Sequence, residues 1–152
     1  MTSPGGFAVG DVLTAADMND LGNMATITVT ATNFAGTIAA RGYVLNKIAF
    51  VEIKATATGA ASGAITFTLP AGYEIATTDT PIGNALFIDD SAGLNYNGVA
   101  TRGATTLTVA PRVFDNGATY NRYTRWAVVN ATVPMTWASP DVLSMVLCYR
   151  VA

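Results

Sequence analysis

The strongest constraint on this chain's fold is the alternation in VLSMVLCYRV, which covers residues 142–151. Every second residue of this run is apolar, and five apolar positions on one face follow one another without a break. They are Leu143, Met145, Leu147, Tyr149 and Val151. A period of two is typical of a β-strand, and a continuous apolar face indicates that this face is buried. The run therefore predicts a central core strand.

Most of the chain before this run carries strand and turn signals as well. ATITVTATNF alternates Ile27 and Val29 with threonines, and GAITFTLPAGYEI predicts a short strand that stops at Pro70, since proline cannot donate to a ladder. NALFIDDSAGLNYNGVA has the composition of a hairpin, with its turn at residues 89–93. These segments form a series of short strands separated by turns.

Three further stretches complete the predicted sheet. YVLNKIAFVEIKA predicts one strand whose first half is buried on both sides, and TTLTVAPRV predicts a strand with Pro111 at an edge or a bulge. The DNG turn at residues 115–117 precedes another strand-like run. Since no second amphipathic helix is found, we predict an all-β fold, a β-sandwich or jelly roll of about seven to nine strands.

The N-terminal stretch GDVLTAADMNDLGN, residues 10–23, predicts a helix of about two turns. Thr14 is suited to begin it as N-cap, and Gly22 is suited to end it in the left-handed conformation. So short a helix is marginal in water and needs a packing partner. Its apolar side consists of Leu13, Met18 and Leu21. We therefore predict an attachment arm over residues 1–23, which docks on another chain, and a β domain over residues 24–152.

The composition limits the class of protein. A chain of 152 residues fits one domain with one core. Only 12% of the residues are charged, about half the usual share, so much of the surface is expected to be contact surface. The net charge of −2 and the lack of a basic run argue against nucleic acid as a partner. No leader or membrane-spanning run is found, so we expect synthesis in the cytosol and no membrane insertion.

Catalytic and metal-binding residues are scarce. Histidine is absent, Cys148 is the only cysteine, and Glu52 and Glu74 are the only glutamates. These counts remove the usual general base, the usual metal ligands and any internal disulfide. Oxygen ligands suited to calcium occur near the predicted hairpin turn, at Asp89, Asp90, Asn95 and Asn97, but their spacing is not that of an EF-hand loop. We therefore expect no enzyme activity and no cofactor, and we interpret the turn as a solvated hairpin.

One segment interleaves aromatic and basic residues, namely YNRYTRW at residues 120–126. In an extended strand Tyr120, Arg122 and Trp126 share one face. An aromatic ring beside arginine can stack on a sugar and bind its hydroxyl groups. The same residue types concentrate in protein interfaces, and aromatic residues in strands are often simply core. The segment thus predicts a subunit interface or core position, with contact to a glycan as the alternative.

Three stretches together resemble a known family. The opening FAVGDVLTAADMNDLGN is similar to the N-terminal motif of small structural proteins of tailed bacteriophages, particularly minor tail and fibre-like proteins of phages that infect actinobacteria. ITFTLPAGYEI resembles the Leu-Pro-Ala-Gly-Tyr turn of their β domains. VPMTWASPDVLSMVLCYRV resembles their closing pattern, which falls here on Thr136, Trp137, Asp141 and Tyr149.

The resemblance implies a non-enzymatic virion protein, commonly a homotrimer, with the arm attached to the particle and the β domain outside. The chain has no shaft or collagen-like region, which favours a compact capsid decoration or head-fibre protein, or a short tail-tip (minor tail) protein. Its expected partners are its own copies and other virion proteins, such as major capsid or tail proteins. Its expected place is the virion surface, after assembly in the host cytoplasm. The alternative is a receptor- or carbohydrate-binding tail protein that recognises a host cell-surface glycan.

Overall fold

The computed structural model describes residues 23–76, 81–115 and 125–152. These residues contain ten β-strands, and no helix is found among them. In chain order the strands are β1 (Ala25–Thr26), β2 (Thr30–Thr32), β3 (Gly36–Leu45), β4 (Ile48–Ala57), β5 (Thr66–Thr68), β6 (Pro81–Asp89), β7 (Leu94–Arg102), β8 (Thr108–Asp115), β9 (Arg125–Val128) and β10 (Val142–Arg150). The predicted helix and most of the predicted arm lie outside the described residues.

All ten strands belong to one antiparallel sheet that curls into a half-barrel. The strand order is β1-β3-β4-β10-β6-β7-β8-β5-β2, and β9 pairs with the second half of β8. The all-β prediction is confirmed. The sequence predicted seven to nine strands in a sandwich or jelly roll, whereas the structure has ten strands in one continuous sheet. The difference in number comes from two runs that each form two strands.

The first of these runs is ATITVTATNF, which connects the two ends of the sheet. β1 pairs with β3 at one end, and β2 pairs with β5 at the other end. Only residues 27–29 separate the two strands, and such a link spans at most about 14 Å. The ends of the sheet therefore lie close together. The predicted alternation holds, since Val29 is buried and Ile27 is half-buried.

The second run is YVLNKIAFVEIKA, which the sequence predicted to be one strand. The structure divides it at Asn46 and Lys47, so its halves belong to β3 and β4, which pair as a hairpin. Both turn residues have positive φ, at 48° and 64°. A two-residue turn of this kind suits the twist of a hairpin, and asparagine tolerates the left-handed conformation well. The missed signal was thus the Asn-Lys step, which lacks the usual glycine.

Strand β10 is central, as its sequence predicted. It pairs with β4 over nine residues on one side and with β6 over six residues on the other. Leu143, Met145 and Leu147 point into the buried core, and Tyr149 is buried as well. The hydroxyl of Tyr149 donates to the carbonyl oxygen of Tyr73 at 2.8 Å. This hydrogen bond satisfies the one polar atom that the buried phenol brings into the core.

Trp137 is the largest fully buried side chain among the described residues. Its ring meets Phe34 edge-on, with centroids 5.5 Å apart, and packs against Phe87 in a similar arrangement at 6.3 Å. The indole Nε1 donates to the carbonyl oxygen of Asn130 at 2.9 Å. Trp137 therefore anchors the loop between β9 and β10 in the core.

Asp141 is a buried carboxylate at the end of the same loop. Its Oδ2 accepts a hydrogen bond from the amide of Ala138 at 2.7 Å, and its Oδ1 accepts one from the amide of Asp90 at 3.1 Å. The side chain thus ties this loop to the β6–β7 turn. In the described part of the chain, every buried side-chain nitrogen or oxygen has a hydrogen-bond partner. Trp137, Asp141 and Tyr149 of the closing pattern consequently have structural roles, whereas Thr136 is exposed.

The two predicted proline signals have different outcomes. β5 ends at Thr68, two residues before Pro70, as expected. Pro111 lies inside β8 and not at its end. The outer neighbour of β8 changes there, since β5 pairs up to Val109 and β9 pairs from Arg112 onwards. The ladder on this side is therefore interrupted at the residue that lacks an N–H group.

Candidate interaction surface

The sheet has two faces with different compositions. Side chains that point into the half-barrel form the core, and the residues that alternate with them form what we term the outer face. In the described ranges, seven large apolar side chains are exposed. Six of them lie on the outer face, as the strand registers show, and they are Leu45, Leu86, Phe114, Trp126, Val128 and Val146. The outer face is therefore the candidate functional surface.

One cluster on this face lies at the β8–β9 edge and consists of Phe114, Trp126 and Val128, which we term the edge patch. Phe114 pairs directly with Trp126 across the two strands. Their rings meet edge-to-face, with centroids 5.7 Å apart and planes at 89°. The three side chains are between 37% and 41% exposed. An aromatic pair of this kind holds its shape and offers an apolar surface to a partner.

The polar neighbour of the edge patch is Arg112. It lies directly opposite Val128 and two residues before Phe114, so it shares their face of the sheet. Its side chain is half-buried. Among the described strands β9 pairs only with β8, so the backbone on the other side of β9 forms a sheet edge. The patch thus combines apolar rings, one arginine and an open strand edge.

A second cluster lies near the start of the described chain. It consists of Met24, Tyr43, Phe50 and Val146, which line one shallow depression together with the acidic Glu52, and we term these four apolar residues the N-terminal patch. The rings of Tyr43 and Phe50 are stacked, with centroids 4.9 Å apart and planes at 18°. Cys148 pairs with Phe50 in the neighbouring strand and is exposed on the same face. The patch is a flat apolar platform beside a free thiol.

Basic residues surround the N-terminal patch. Arg41 and Lys54 are exposed on the outer face and line an adjoining open depression with Glu52. Arg150 is exposed at the end of β10, and Lys47 lies in the β3–β4 turn. On this part of the sheet basic residues thus outnumber the acidic Glu52, which lines the patch itself, although the chain as a whole has a net charge of −2.

The structure places only one of the predicted site residues. Trp126 lies on the outer face, half-exposed, in contact with Phe114. Tyr120 and Arg122 lie outside the described residues, and so do the predicted docking residues Leu13, Met18 and Leu21. Whether Tyr120 and Arg122 share a face with Trp126 therefore stays a prediction.

Sequence reasoning missed Phe114, Tyr43 and Phe50 as surface residues. Phe114 follows Arg112 by two positions, so the period of two placed both on one face of a strand. What the sequence did not supply was the pairing of β8 with β9, which brings Phe114 opposite Trp126. Aromatic residues in strands are usually core, and this general tendency hid the exposure of Phe114 and the half-buried positions of Tyr43 and Phe50.

The acidic β6–β7 turn is explained by its own hydrogen bonds. The carboxylate of Asp89 accepts from the amide of Ala92 at 2.9 Å and from the hydroxyl of Ser91 at 2.8 Å. These two bonds hold the pKa of Asp89 below its usual value, because they favour the ionised form. Gly93 completes the turn with a φ of +66°. Within the described ranges, no three His, Cys, Asp or Glu side chains are grouped closely enough to hold a metal ion.

Comparison with known proteins gives no relative. No protein-family model, no curated protein and no solved structure matches the chain. In the part of the chain that the structure describes, no helix is long and apolar enough to cross a membrane. The resemblance to tailed-phage proteins therefore rests on its three motifs alone.

Proposed function

We propose that this protein is a non-enzymatic structural protein on the surface of a tailed-phage particle. In this proposal it is a homotrimer, docked through its N-terminal arm, and it serves as a capsid decoration or head-fibre protein or as a tail-tip protein. The three motifs support the phage assignment, and the outer face of the sheet supports the assembly. The partners are sister copies and another virion protein, such as the major capsid or a tail protein.

The observation that carries the assembly proposal is the exposed apolar side chains in two clusters on the outer face. An antiparallel sheet with one solvated face usually alternates apolar residues inside with polar residues outside. Here Val146, in the centre of the sheet, is 57% exposed, and the edge patch exposes two aromatic rings. Clusters of exposed apolar side chains on a soluble chain mark contact sites. Contact with sister chains would remove this surface from water.

The low charge of the chain also supports assembly into an oligomer. Natural sheets protect their open edges with charged residues, and lysine above all. This chain has eight basic residues in total, and Val128 and Trp126 occupy the outer face of the edge strand β9. Burying such an edge in an oligomer removes the risk of uncontrolled pairing. A closed homotrimer can bury these edges, because every copy contributes its exposed face to a contact with another copy.

Immunogold labelling of purified virions tests the virion assignment. An antibody against the β domain should label either the head or the tail tip of intact particles, and the position of the label distinguishes the two proposed locations. Mass spectrometry of the same particles should detect the chain in a fixed ratio to the major capsid protein. Absence of both label and peptides from washed particles would reject the proposal.

One observation favours a second candidate, in which the protein binds a host cell-surface glycan. The ring of Trp126 is partly open to solvent, and Arg112 lies on the same face, two residue pairs along the ladder. An exposed ring beside an arginine can stack on a sugar and bind its hydroxyl groups. In this candidate the protein is a receptor-binding tail protein.

Binding of cell-wall polysaccharide or an immobilised glycan array tests this second candidate. Trp126→Ala should abolish binding while circular dichroism stays unchanged. Leu94→Ala is a matched control, since Leu94 is 51% exposed but lies at the tip of the β6–β7 hairpin. Equal binding by the wild type and Trp126→Ala would exclude a role for the edge patch in sugar recognition.

A further inference from the structure

The N-terminal patch is the place from which the arm leaves the sheet. Met24, at the start of the described chain, lines the patch, and 22 further residues precede Asn23. We propose that the arm of one subunit docks on the N-terminal patch of the next subunit. The apolar side of the arm, Leu13, Met18 and Leu21, then covers the platform of Tyr43 and Phe50. This inference rests on the proposed homotrimer, and it assigns the apolar side of the arm to a sister subunit, so that this side is not what docks on the particle.

The arm and the N-terminal patch each have apolar residues that can be buried against the other. A helix of about two turns is marginal alone and gains stability only by burying its apolar side. The stacked rings of Tyr43 and Phe50 present a flat surface, and Val146 projects beside them with 57% of its surface exposed. The patch therefore offers the apolar packing surface that a short helix in the arm needs.

The charges of the two surfaces are opposite. Residues 1–22 contain Asp11, Asp17 and Asp20 and no lysine or arginine. Arg41, Lys54 and Arg150 are exposed on the outer face around the N-terminal patch, and Lys47 lies in the adjacent turn, while the acidic Glu52 lines the patch itself. Complementary charges steer two surfaces together and fix their orientation, and salt weakens this effect. The acidic arm is thus matched in charge to the basic surroundings of the N-terminal patch.

The reach of the arm and the symmetry of a ring allow contact between subunits. A chain of 22 residues extends over at most about 75 Å, and a domain of this size is roughly 35 Å across. The arm can therefore reach a neighbouring copy even when part of it is helical. Each subunit carries one arm and one patch, so contacts made head-to-tail can close into a ring of three.

The thiol of Cys148 makes the proposal directly testable, because it is the only cysteine in the chain and is exposed beside Phe50. Met18→Cys introduces a second thiol on the apolar side of the arm. The purified variant is treated with a short bis-maleimide linker and analysed on a denaturing gel. With two thiols per chain, a closed ring should give covalently linked trimers.

Two single-thiol proteins are the controls. The wild type and the double variant Met18→Cys/Cys148→Ser each carry one thiol per chain, so the linker can join at most two of their chains. The three-chain band should therefore appear only in the protein with both thiols. Val146→Asp, added to that protein, should abolish the band, whereas Leu94→Asp, on the hairpin tip, should leave it unchanged. Circular dichroism confirms that all variants keep their β structure.

The outcomes separate the arm contact from the trimer itself. A linked trimer that is lost in Val146→Asp supports the proposal. A single chain that carries one linker across both of its own thiols, identified by intact mass, overturns it, since the arm then covers its own patch. A trimeric native mass without linked trimers also overturns it, while the proposed homotrimer stands. A monomeric native mass rejects both.

Discussion

The inner and outer faces of β10 differ sharply although they alternate along the same nine residues. On the inner face Leu143, Met145 and Leu147 are fully buried by the rest of the chain. On the outer face Val146 is apolar as well, yet 57% of its surface is exposed. The inner face is complete within one chain, whereas in our proposal the outer face is covered by a partner. Folding and assembly should therefore depend on different residues of the same strands.

The largest expected effect lies on the inner face. Trp137→Ala removes the largest buried side chain, its ring contacts with Phe34 and Phe87, and the hydrogen bond to Asn130. We expect the free energy of unfolding to fall by about 3–5 kcal/mol. Urea unfolding, at a protein concentration where the chain is monomeric, measures this loss.

Trp126→Ala is the matched comparison on the outer face. It removes the edge-to-face contact with Phe114 from a half-exposed position, so the monomer should lose only about 1 kcal/mol. Similar losses for the two tryptophans would mean that the outer face belongs to the folding core, and the contrast between the faces would fail.

A second effect concerns the polar anchor of the core. Asp141→Ala leaves the amides of Ala138 and Asp90 without their acceptor. Because both amides point at the buried side chain of Asp141, water does not readily replace the lost acceptor, and we expect the free energy of unfolding to fall by about 2–4 kcal/mol. Asp141→Asn keeps the shape and one acceptor oxygen and should lose less. Equal stability of all three proteins in urea would contradict the structural role of the closing motif.

A smaller effect appears at high pH. Burial, with the nearby Tyr73 and Glu74 charges, raises the pKa of Tyr149 above the ordinary value of 10.0. The folded state therefore favours the neutral phenol. The neutral phenol of Tyr149 therefore contributes fully to the free energy of unfolding below pH 10, and this contribution is lost as the pH rises above that value.

Tyr149→Phe tests this pH dependence. The variant loses the hydrogen bond to Tyr73, at a cost of about 1 kcal/mol near neutral pH, and its unfolding free energy should fall less steeply above pH 10. A slope remains, because burial also raises the pKa of Tyr73. Unfolding curves of both proteins between pH 8 and about 11 check this, and identical slopes would argue against ionisation of Tyr149 as the cause.

The smallest effect belongs to neither face. Lys47 has a φ of 64° in the β3–β4 turn, a conformation that glycine adopts without steric cost. Lys47→Gly should raise the free energy of unfolding by about 0.5–1 kcal/mol, since the relief of strain exceeds the added entropy of the unfolded chain. A change at Ala49, the fully buried residue two positions later, should destabilise the chain instead. A destabilised Lys47→Gly protein would show that the turn is held by the lysine side chain.

The sequence was informative where a local pattern determines the structure. The alternation in β10 identified its buried face, and Asp89 to Gly93 identified the β6–β7 turn. It was uninformative about long-range pairing. Residues 25–32 have one continuous alternation, yet they form β1 and β2 at opposite ends of the sheet. Periodicity reports which residues share a face, and it does not report which strand lies next to which.

The same limit applies to the candidate surface. Trp126 was recognised because aromatic residues and arginines interleave around it. Phe114 is twelve residues away and becomes its neighbour only through the β8–β9 pairing. Tyr43 and Phe50 were placed in one strand whose first half was predicted to be buried on both sides, because the turn at Asn46 was missed. Exposure of an aromatic residue depends on the tertiary structure and is not visible in its local sequence.

The central claim is that the outer face is a contact surface between copies of the chain, and the native mass tests it most directly. Sedimentation equilibrium of the wild type should give three times the chain mass of 15.7 kDa. The outer-face variant Phe114→Ser/Trp126→Ser/Val146→Ser should give a mass closer to a single chain while its circular dichroism stays that of a β protein. A wild-type mass of one chain at every concentration tested, or a variant that remains fully trimeric, would contradict the account.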